Sequence, residues 1–267
     1  MTSAVQTSEL NHVRRGSGRP LLLVHGLGAG WRSWQPIIDG LAARREVIAI
    51  DLPGFGETPS LDGEVSIATL TDSVARFIED QGLDAVSTAG QSMGGRIVLE
   101  LARRGIGGDT VALDPGGFWN DRELAVFGAT LRPSIASVRA LRGALPVLLK
   151  NPVARTALLA QFSARPWKLS AQTVLPDVLG LADAPAVGAA MDALTKGPKQ
   201  LGAAAGTVPG QVTIGWGERD LVTLPRQARR ATTAFPDATL HWFARCGHFP
   251  QWDAPEEATG LILSRTG

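Results

Sequence analysis

The sequence predicts an α/β fold: a mostly parallel central sheet with helices on both faces and an inserted helical cap. Two patterns support this prediction. Short apolar runs, typical of strands buried on both faces, alternate with helical patterns up to residue 117. A long stretch of helical patterns without strands follows, and then the alternation resumes. Strands that alternate with helices imply parallel pairing, with the helices packed on the two faces of the sheet.

The elements can be assigned in chain order from these patterns. Strands are predicted at 10–15, 20–24, 47–50, 84–89, 110–113, 211–216 and 238–243. Apolar residues at helical spacing predict helices around 34–41, 67–78, 96–102 and 225–235. A last helix is expected to begin with Asp253 as its N-cap, Pro255 in its first turn and Glu256 three residues after the cap.

Residues 118–207 are predicted to form the cap. The segment is too long for a loop and rather short for an independent domain, so the core is expected to comprise 1–117 and 208–267. Prolines are expected to divide the cap into short helices. They are Pro133, Pro146, Pro152, Pro166, Pro176, Pro185 and Pro198.

Composition narrows the functional classes. The 267 residues carry a formal net charge of +1, which argues against a nucleic-acid partner. No apolar run is long enough to span a bilayer, and Met1–Gln6 lacks the layout of a signal peptide. The single Cys246 excludes an internal disulfide and any multi-cysteine zinc site. A cytoplasmic, reduced protein is therefore expected, and its oligomeric state cannot be predicted.

The segment Gly90–Gly95 is the strongest candidate for catalysis. It contains a G-x-S-x-G pattern between a predicted strand and a predicted helix, which places Ser92 on a strand-to-helix turn. Gly90 and Gly94 are expected to remove Cβ atoms that such a tight turn cannot hold. The N-terminus of the helix would direct unpaired N–H groups toward a developing oxyanion.

A serine hydroxyl needs a base at neutral pH, and the chain has four histidines. His12 and His241 lie in predicted strands, where packing or surface roles are expected, and His25 suits a structural hydrogen bond. His248 follows Gly247 in the loop after the last predicted strand, where its side chain can reach across the edge of the sheet. His248 is therefore predicted to be the base.

Two aspartates compete to orient that base. Asp220 follows the strand ending at Trp216, whereas Asp114 ends an earlier strand and precedes Pro115. A turn-forming role accounts for Asp114, and Glu218 is expected to face solvent, so Asp220 is favoured.

Five stretches in this order resemble the α/β-hydrolase superfamily. They are 25–28 (HGLG), 51–56 (DLPGFG), 90–94 (GQSMG), 216–220 (WGERD) and 247–256 (GHFPQWDAPE). The resemblance implies a catalytic triad of Ser92, Asp220 and His248, and an oxyanion hole formed by the backbone N–H groups of Leu27 and Met93. It also implies a cap after the sixth family strand. Asp51 resembles a structural loop acid of the family.

Further positions are assigned with less direct support. Phe118 and Trp119 at the start of the cap, and Phe249 beside His248, are predicted to line a substrate pocket. Cys246 is expected to be a small buried apolar residue. Gly26–Gly30 after a strand imitates a dinucleotide site, but Trp31 replaces the third glycine and argues against it.

The leading functional prediction is a serine hydrolase that cleaves a small ester or related acyl compound with an apolar part, without a metal or an organic cofactor. A carbon–carbon bond hydrolase of ring-cleavage diketones is the alternative, because 247–253 is also similar to the histidine loop of that group. Its substrate carboxylate would need a cap arginine. The candidates are Arg132, Arg139, Arg142, Arg155 and Arg165. A ligand receptor with little turnover is a further alternative.

Overall fold

The computed structural model describes residues 9–267 and contains a seven-stranded sheet. Its strands are β1 (His12–Arg15), β2 (Pro20–Val24), β3 (Glu46–Ile50), β4 (Ser87–Gln91), β5 (Thr110–Leu113), β6 (Val212–Gly217) and β7 (Thr239–Phe243). They lie in the order β1-β3-β2-β4-β5-β6-β7. Only the β1–β3 pair is antiparallel. The predicted fold class, a mostly parallel sheet with helices and an inserted helical segment, is confirmed.

The helices fall into two groups. The first group flanks the sheet: α1 (Gln35–Ala42), α2 (Ile67–Asp80), α3 (Met93–Arg103), α9 (Ala228–Ala234), α10 (Pro250–Asp253) and α11 (Pro255–Arg265). The second group lies between β5 and β6: α4 (Asp121–Ala140), α5 (Leu145–Leu148), α6 (Pro152–Leu159), α7 (Ala171–Asp183) and α8 (Val187–Lys196). We refer to 121–196 as the helical insertion.

Both faces of the sheet are buried, because its central strands are continuously apolar. Alternate residues of β2 point to opposite faces, so Leu22 joins one core cluster and Leu23 joins another. Val74 of α2 packs in the first cluster, while Ile37 of α1 packs in the second. Helices therefore cover the sheet on both sides, as the apolar runs predict.

The parallel strands bring their carboxyl ends to one edge. β4 ends at Gln91, β5 at Leu113 and β6 at Gly217, so the residues that follow each strand are neighbours in space. The segment after β7 lies at the same edge, because β7 is parallel to β6.

The helical insertion packs over this edge. Phe127 and Leu131 of α4 belong to the same core cluster as Ile97 of α3. Glu123, only 3% exposed, accepts a hydrogen bond from Arg226 Nε at 2.5 Å and another from Arg230. Apolar packing, together with ion pairs between this buried carboxylate and two partly exposed arginines, thus fixes α4 to the sheet domain. The boundaries at 117/118 and 207/208 remain a prediction.

Three local predictions were wrong. The strand predicted at 84–89 begins later, as β4, because Ala85 lies at a positive φ of 56° in the turn that follows α2. Pro133 and Pro176 do not break helices but lie inside α4 and α7. In α4, buried Phe127 and Ile135 lie on either side of the proline, and burying such side chains contributes about 1.5–3 kcal/mol each, enough to offset one lost backbone hydrogen bond.

The third wrong prediction concerns Asp253. It ends α10 and does not cap the last helix, whose N-cap position is Ala254. The Asp253 carboxylate instead accepts hydrogen bonds from Ser163 Oγ at 2.5 Å, Ala164 N at 2.8 Å and Gly247 N at 2.7 Å. These three donors hold the carboxylate between the helical insertion and the loop that carries His248.

Within residues 9–267, no single helix has the length and apolar composition needed to cross a bilayer. Only α7 and α8 taken together meet that test, and they are bent by 83° relative to each other. The absence of a signal peptide was predicted from residues outside this described range.

Candidate active site

Ser92 occupies a strained turn between β4 and α3. Its backbone φ and ψ are 55° and −113°, a region that residues other than glycine rarely adopt. The conformation is held by hydrogen bonds on both sides: Ser92 N donates to Leu113 O at 2.9 Å, and Ser92 O accepts from Arg96 N at 3.0 Å. The serine is thereby lifted above the end of the sheet.

The two glycines of the G-x-S-x-G pattern allow the close approach of this turn. A Cβ added to Gly90 would lie 2.3 Å from Gly94 O, and one added to Gly94 would lie 2.1 Å from Val24 O. Real Cβ atoms essentially never come so close to backbone atoms. The pattern is therefore a steric requirement of the turn at Ser92.

His248 lies beside Ser92. Its Nε2 is 2.8 Å from Ser92 Oγ, and its Nδ1 is 2.8 Å from Asp220 Oδ2. An ionised carboxylate only accepts hydrogen bonds, so the proton lies on Nδ1 and leaves Nε2 free to accept from the serine hydroxyl. The structure brings the three residues into one unbroken chain of hydrogen bonds.

The backbone of His248 is anchored at two points. Its N–H donates to Phe162 O in the helical insertion at 2.8 Å, and its C=O accepts from Gln91 Nε2 at 2.7 Å. Gln91 is the residue before Ser92, so this second bond ties the position of the imidazole directly to the strained turn.

Asp220 is held rigidly in the loop after β6. Oδ1 accepts from Val222 N at 2.7 Å and Thr223 N at 3.0 Å, and Oδ2 accepts from Thr223 Oγ1 at 2.5 Å. The side chain is buried, and Val222 and Thr223 supply all three of these donors. These hydrogen bonds fix the direction in which the carboxylate faces His248. Glu218 is exposed, as predicted.

Asp114, the competing acid, has a different environment. It is fully buried at a positive φ of 44°, and its Oδ1 accepts from Gly217 N at 2.8 Å. It makes no hydrogen bond to His248, and its Oδ2 has no hydrogen-bond partner among the described residues. Burial, reinforced by the nearby charge of Asp220, raises the pKa of Asp114 well above its ordinary value.

Asp114, Asp220 and His248 place one polar atom each within 4.8 Å of one another, a spacing that could suit a metal ion. The 2.8 Å separation of Asp220 Oδ2 and His248 Nδ1 is, however, that of a hydrogen bond. Asp220 also accepts from its own loop, so two of the three groups that a metal would need, Asp220 and His248, are already engaged. The donor set fits a hydrogen-bonded chain better than a metal centre.

The segment 25–27 lies against the Ser92 turn. A Cβ on Gly26 would be 3.1 Å from Ser92 Cβ. Neither Leu27 N–H nor Met93 N–H, the two amides assigned to an oxyanion hole, donates a hydrogen bond to another described residue. His25 is buried beneath them, with Nδ1 donating to Gly26 O at 2.7 Å and Nε2 accepting from Leu52 N at 2.9 Å. Burial lowers the pKa of His25, which favours the neutral ring.

A largely apolar cavity opens beside Ser92 and His248. Its volume, together with the space at its mouth, is about 650 Å³. Side chains from the helical insertion form much of its wall, including Phe127, Leu131 and Val178. Leu27 and Phe249 also line it. The insertion therefore sets the shape of the space next to the serine.

Phe118 and Trp119, assigned to the pocket from sequence, do not line this cavity. Phe118 packs edge to face against Phe235, with ring centroids 6.5 Å apart. Trp119 stacks on Phe127 at 4.8 Å. Both belong to a buried core cluster that also contains Phe127 and Phe235. Phe249 is the one of the three that reaches the cavity.

Asp177 of α7 is a polar residue of the cavity wall that sequence reasoning missed. It is 7% exposed, and burial raises its pKa to about 7. Gln91, Thr223, Ser163 and Asp253 were also missed. The capping pattern before the last helix offered a competing local role for Asp253, and no signal within the sequence pairs the others with their distant partners.

The remaining candidates take no part in the hydrogen-bonded chain of Ser92, His248 and Asp220. Asp51 accepts hydrogen bonds from Asn11 Nδ2, Trp31 N and Glu57 N, which is a structural role in its loop. Cys246 is buried, and burial raises the pKa of its thiol. His12 contacts Leu10 O and His241 contacts Glu257.

None of the five arginines considered for a substrate carboxylate lines the cavity. Arg132 and Arg142 form exposed pairs with Asp192 and Asp183. Arg139 and Arg165 donate to the backbone carbonyls of Ala182 and Asp253. Buried Arg155 donates to the carbonyls of Leu149, Pro166 and Trp167.

The chain matches a known protein family over most of its length. A family model described as the alpha/beta hydrolase family matches residues 21–259. The dihydrolipoyllysine-residue acetyltransferase component of the acetoin cleaving system from Cupriavidus necator is 28% identical over 272 residues, which cover 97% of this chain and 66% of that protein. The pimeloyl-[acyl-carrier protein] methyl ester esterase from Legionella pneumophila is 42% identical over 89 residues, covering 33% of this chain and 34% of that protein.

These matches span less than two thirds of the length of either curated relative. Among solved structures, a thermophilic esterase from Thermogutta terrifontis superposes with a TM-score of 0.75 and 21% identity, over 96% of this chain and 92% of that chain. At this identity the likeness concerns the fold.

Proposed function

The chain belongs to the alpha/beta hydrolase family, and we propose that it is a serine hydrolase that cleaves an ester or a related acyl compound with an apolar acyl or alkyl part. The observation that carries the proposal is the chain of hydrogen bonds from Asp220 through His248 to Ser92, which ends in the wall of an apolar cavity. The local match to a methyl ester esterase supports an ester as the bond that is cleaved.

In the first half-reaction, Ser92 Oγ attacks the acyl carbonyl carbon while His248 Nε2 takes the hydroxyl proton. Asp220 holds the protonated ring in place and stabilises its charge. When the tetrahedral intermediate collapses, the bond to the leaving oxygen breaks and His248 returns the proton to that oxygen. The products are an alcohol and an acyl-enzyme.

The second half-reaction uses water. His248 removes a proton from the water as its oxygen attacks the acyl carbon, and it then protonates Ser92 Oγ as the acyl bond to the serine breaks. A carboxylic acid leaves and the free serine is restored. The Leu27 and Met93 N–H groups, which have no other partner in the described chain, are proposed to bind the oxyanion in both steps.

The proposed role of the helical insertion is that of a cap over this site. Its apolar side chains would exclude water and bind the hydrocarbon part of the substrate, which strengthens electrostatic interactions at the reacting atoms. An ester is favoured over a ring-cleavage diketone acid for a specific reason. The cavity wall presents the carboxyl group of Asp177, and none of the candidate arginines reaches it to hold a substrate carboxylate.

The test is a series of p-nitrophenyl esters of increasing acyl length, assayed beside a ring-cleavage dienoate, with wild-type protein and Ser92→Ala. We expect ester turnover that depends on Ser92 and little loss of the dienoate chromophore. Ester turnover by Ser92→Ala at the wild-type rate would remove the mechanism. Preferential cleavage of the dienoate would establish the carbon–carbon hydrolase instead.

A further inference from the structure

The helical insertion carries the two most exposed large apolar side chains of the described residues. They are Val153, which is 77% exposed, and Val147, which is 71% exposed, and Trp167 nearby in the sequence is 53% exposed. Lys150 and Lys168 are exposed as well. We refer to these five residues as the outer surface of the insertion. Exposed apolar residues are ordinary when scattered singly, so their meaning depends on whether they lie together.

One buried guanidinium joins the segments that carry the outer surface. Arg155 Nη2 donates to Trp167 O at 3.1 Å, and Arg155 Nη1 donates to Lys150 O at 3.5 Å. Lys150 N in turn donates to Val147 O at 3.1 Å. Val153 lies two residues before Arg155 in α6. The end of α5, the start of α6 and the turn at Trp167 therefore meet around a single side chain.

The charge of this part of the chain has one sign. Between Glu123 and Asp177 the sequence contains no Asp or Glu, but it contains seven Lys and Arg. The whole chain has 26 Lys and Arg against 25 Asp and Glu, so the rest of the molecule is net negative. The formal net charge of +1 thus conceals an uneven distribution, with the positive charge concentrated in the insertion.

The two lysines of the outer surface are the cations left available to a partner. The chain has four lysines, of which Lys196 pairs with Asp192 at 3.1 Å and Lys199 pairs with Asp121 at 2.6 Å. Lys150 and Lys168 take part in no ion pair with a described residue, whereas the arginines of the segment already donate to carboxylates or backbone carbonyls. Free ammonium groups beside exposed valine and tryptophan match a partner that is negatively charged outside and apolar beneath.

We propose that the outer surface of the insertion docks onto an anionic lipid surface. Lys150 and Lys168 contact the phosphates of the headgroups, while the valines and the Trp167 indole enter the boundary between headgroups and acyl chains. The net negative remainder of the molecule turns away from the lipid. A second copy of the chain is a poorer partner, because a symmetric pair would place the same lysines against each other.

The outer surface lies on the reverse side of the cavity wall. Leu158 and Leu159 of α6 line the cavity, whereas Val153 and Ala157, four residues apart on the same helix, are exposed. A docked molecule would therefore hold its cavity one helix away from the lipid. This docking goes beyond the proposed hydrolysis and does not depend on it, since binding is measured without turnover.

The test is flotation of the whole chain with vesicles made of equal parts phosphatidylcholine and phosphatidylglycerol, beside vesicles of phosphatidylcholine alone. We expect binding to the anionic vesicles that weakens as salt is raised. Changing Lys150→Gln and Lys168→Gln together should lower the affinity about thirtyfold, since each lysine near an anionic surface contributes about fivefold. The matched control, Lys196→Gln with Lys199→Gln, makes the same change in net charge and should lower the affinity far less.

The apolar part of the surface has its own matched pair. Trp167→Ala should lower the affinity for anionic vesicles about tenfold, because the exposed half of the indole is what the lipid would cover. Trp242→Ala, at a 41% exposed position on β7, should leave the affinity unchanged.

Equal losses in the two lysine pairs, or in the two tryptophan variants, would overturn the proposal. Wild-type protein that ignores the vesicles and instead forms a dimer in sedimentation, lost in Trp167→Ala, would also overturn it and assign the surface to a second copy. A protein that binds the vesicles as expected but cleaves no ester would support the docking and refute only the hydrolase.

Discussion

The carboxyl groups of Asp114 and Asp220 lie side by side below His248, yet only Asp220 is bonded to the imidazole. Asp220 receives donors from Val222 and Thr223 as well as from His248, which suits an ionised group. Asp114 receives a single N–H, from Gly217, and its pKa is raised well above normal by burial and by Asp220. Asp220 is therefore the acid placed to orient the imidazole, and in Asp114 burial favours the protonated form.

Replacing each aspartate by asparagine separates these roles. Asp220→Asn presents an amide to His248 and favours the wrong tautomer, so kcat should fall by about 10⁴-fold. Asp114→Asn retains an oxygen for Gly217 N–H and changes no charge if Asp114 is neutral, so kcat should fall by less than about tenfold. Steady-state kinetics on one p-nitrophenyl ester measures both. Equal losses in the two variants would mean that the two acids act as a unit.

The turn at Ser92 should not tolerate a side chain at Gly94. A Cβ there would meet Val24 O at 2.1 Å, so Gly94→Ala should lower the free energy of unfolding by about 3 kcal/mol or more, or prevent folding. Gly188→Ala is the matched control, because Gly188 is also helical and an added Cβ would have nothing within 4 Å. In that control the free energy of unfolding should rise by about 0.5–1 kcal/mol, because alanine has a higher helix propensity than glycine. Urea denaturation compares the two, and similar values would contradict the steric argument.

Asp253 should stabilise the contact between the His248 loop and the helical insertion. Asp253→Ala leaves Ser163 Oγ, Ala164 N and Gly247 N without their acceptor, so the free energy of unfolding should fall by about 3 kcal/mol or more. Asp183→Ala removes an exposed pair with Arg142 and should change stability little. The measurement is urea denaturation of both variants and wild type. A cost for Asp253→Ala no larger than that for Asp183→Ala would show that the contact contributes nothing.

The raised pKa of Asp177 predicts how the free energy of unfolding changes with pH. Asp177 titrates at about 7 in the folded chain, while an unfolded aspartate titrates at about 3.9. Between these values the native state holds a proton that the unfolded state has lost, so the contribution of Asp177 to the free energy of unfolding falls as pH rises. Asp177→Asn lacks this titration. Its stability relative to wild type should therefore increase from about pH 4 to about pH 7.

Denaturation midpoints and slopes at several pH values across that window test the prediction. The raised pKa of Asp114 is common to both proteins and cancels in the difference between them. A difference that does not change with pH would show that Asp177 titrates normally.

The features that could be predicted from the sequence are those that local sequence patterns determine. Continuous apolar runs located the strands, and the G-x-S-x-G pattern located Ser92, because the turn itself requires the glycines at positions 90 and 94. His248 followed from its place after β7, since parallel strands bring their carboxyl ends to one edge. The choice of Asp220 over Asp114 rested on turn chemistry, and the structure places Asp220 against the imidazole.

What the sequence could not predict depends on tertiary packing. Phe118 and Trp119 were assigned to the pocket from their position at the start of the predicted cap, but they pack against Phe235 and Phe127 in the core. Asp177 has the spacing of an ordinary helix residue, and only the packing of α7 against the loop at Gly28 makes it part of the cavity. Pro133 and Pro176 remain helical because neighbouring apolar side chains hold their helices in place.

The central claim is that Ser92 is a nucleophile activated by His248, and covalent labelling tests it most directly. Wild type and His248→Gln are treated with a fluorophosphonate probe, and the adduct is located by peptide mass spectrometry. The account predicts one adduct, on Ser92, formed by wild type and nearly absent from His248→Gln. A folded wild-type protein that remains unlabelled at Ser92, or equal labelling of both proteins, would contradict it.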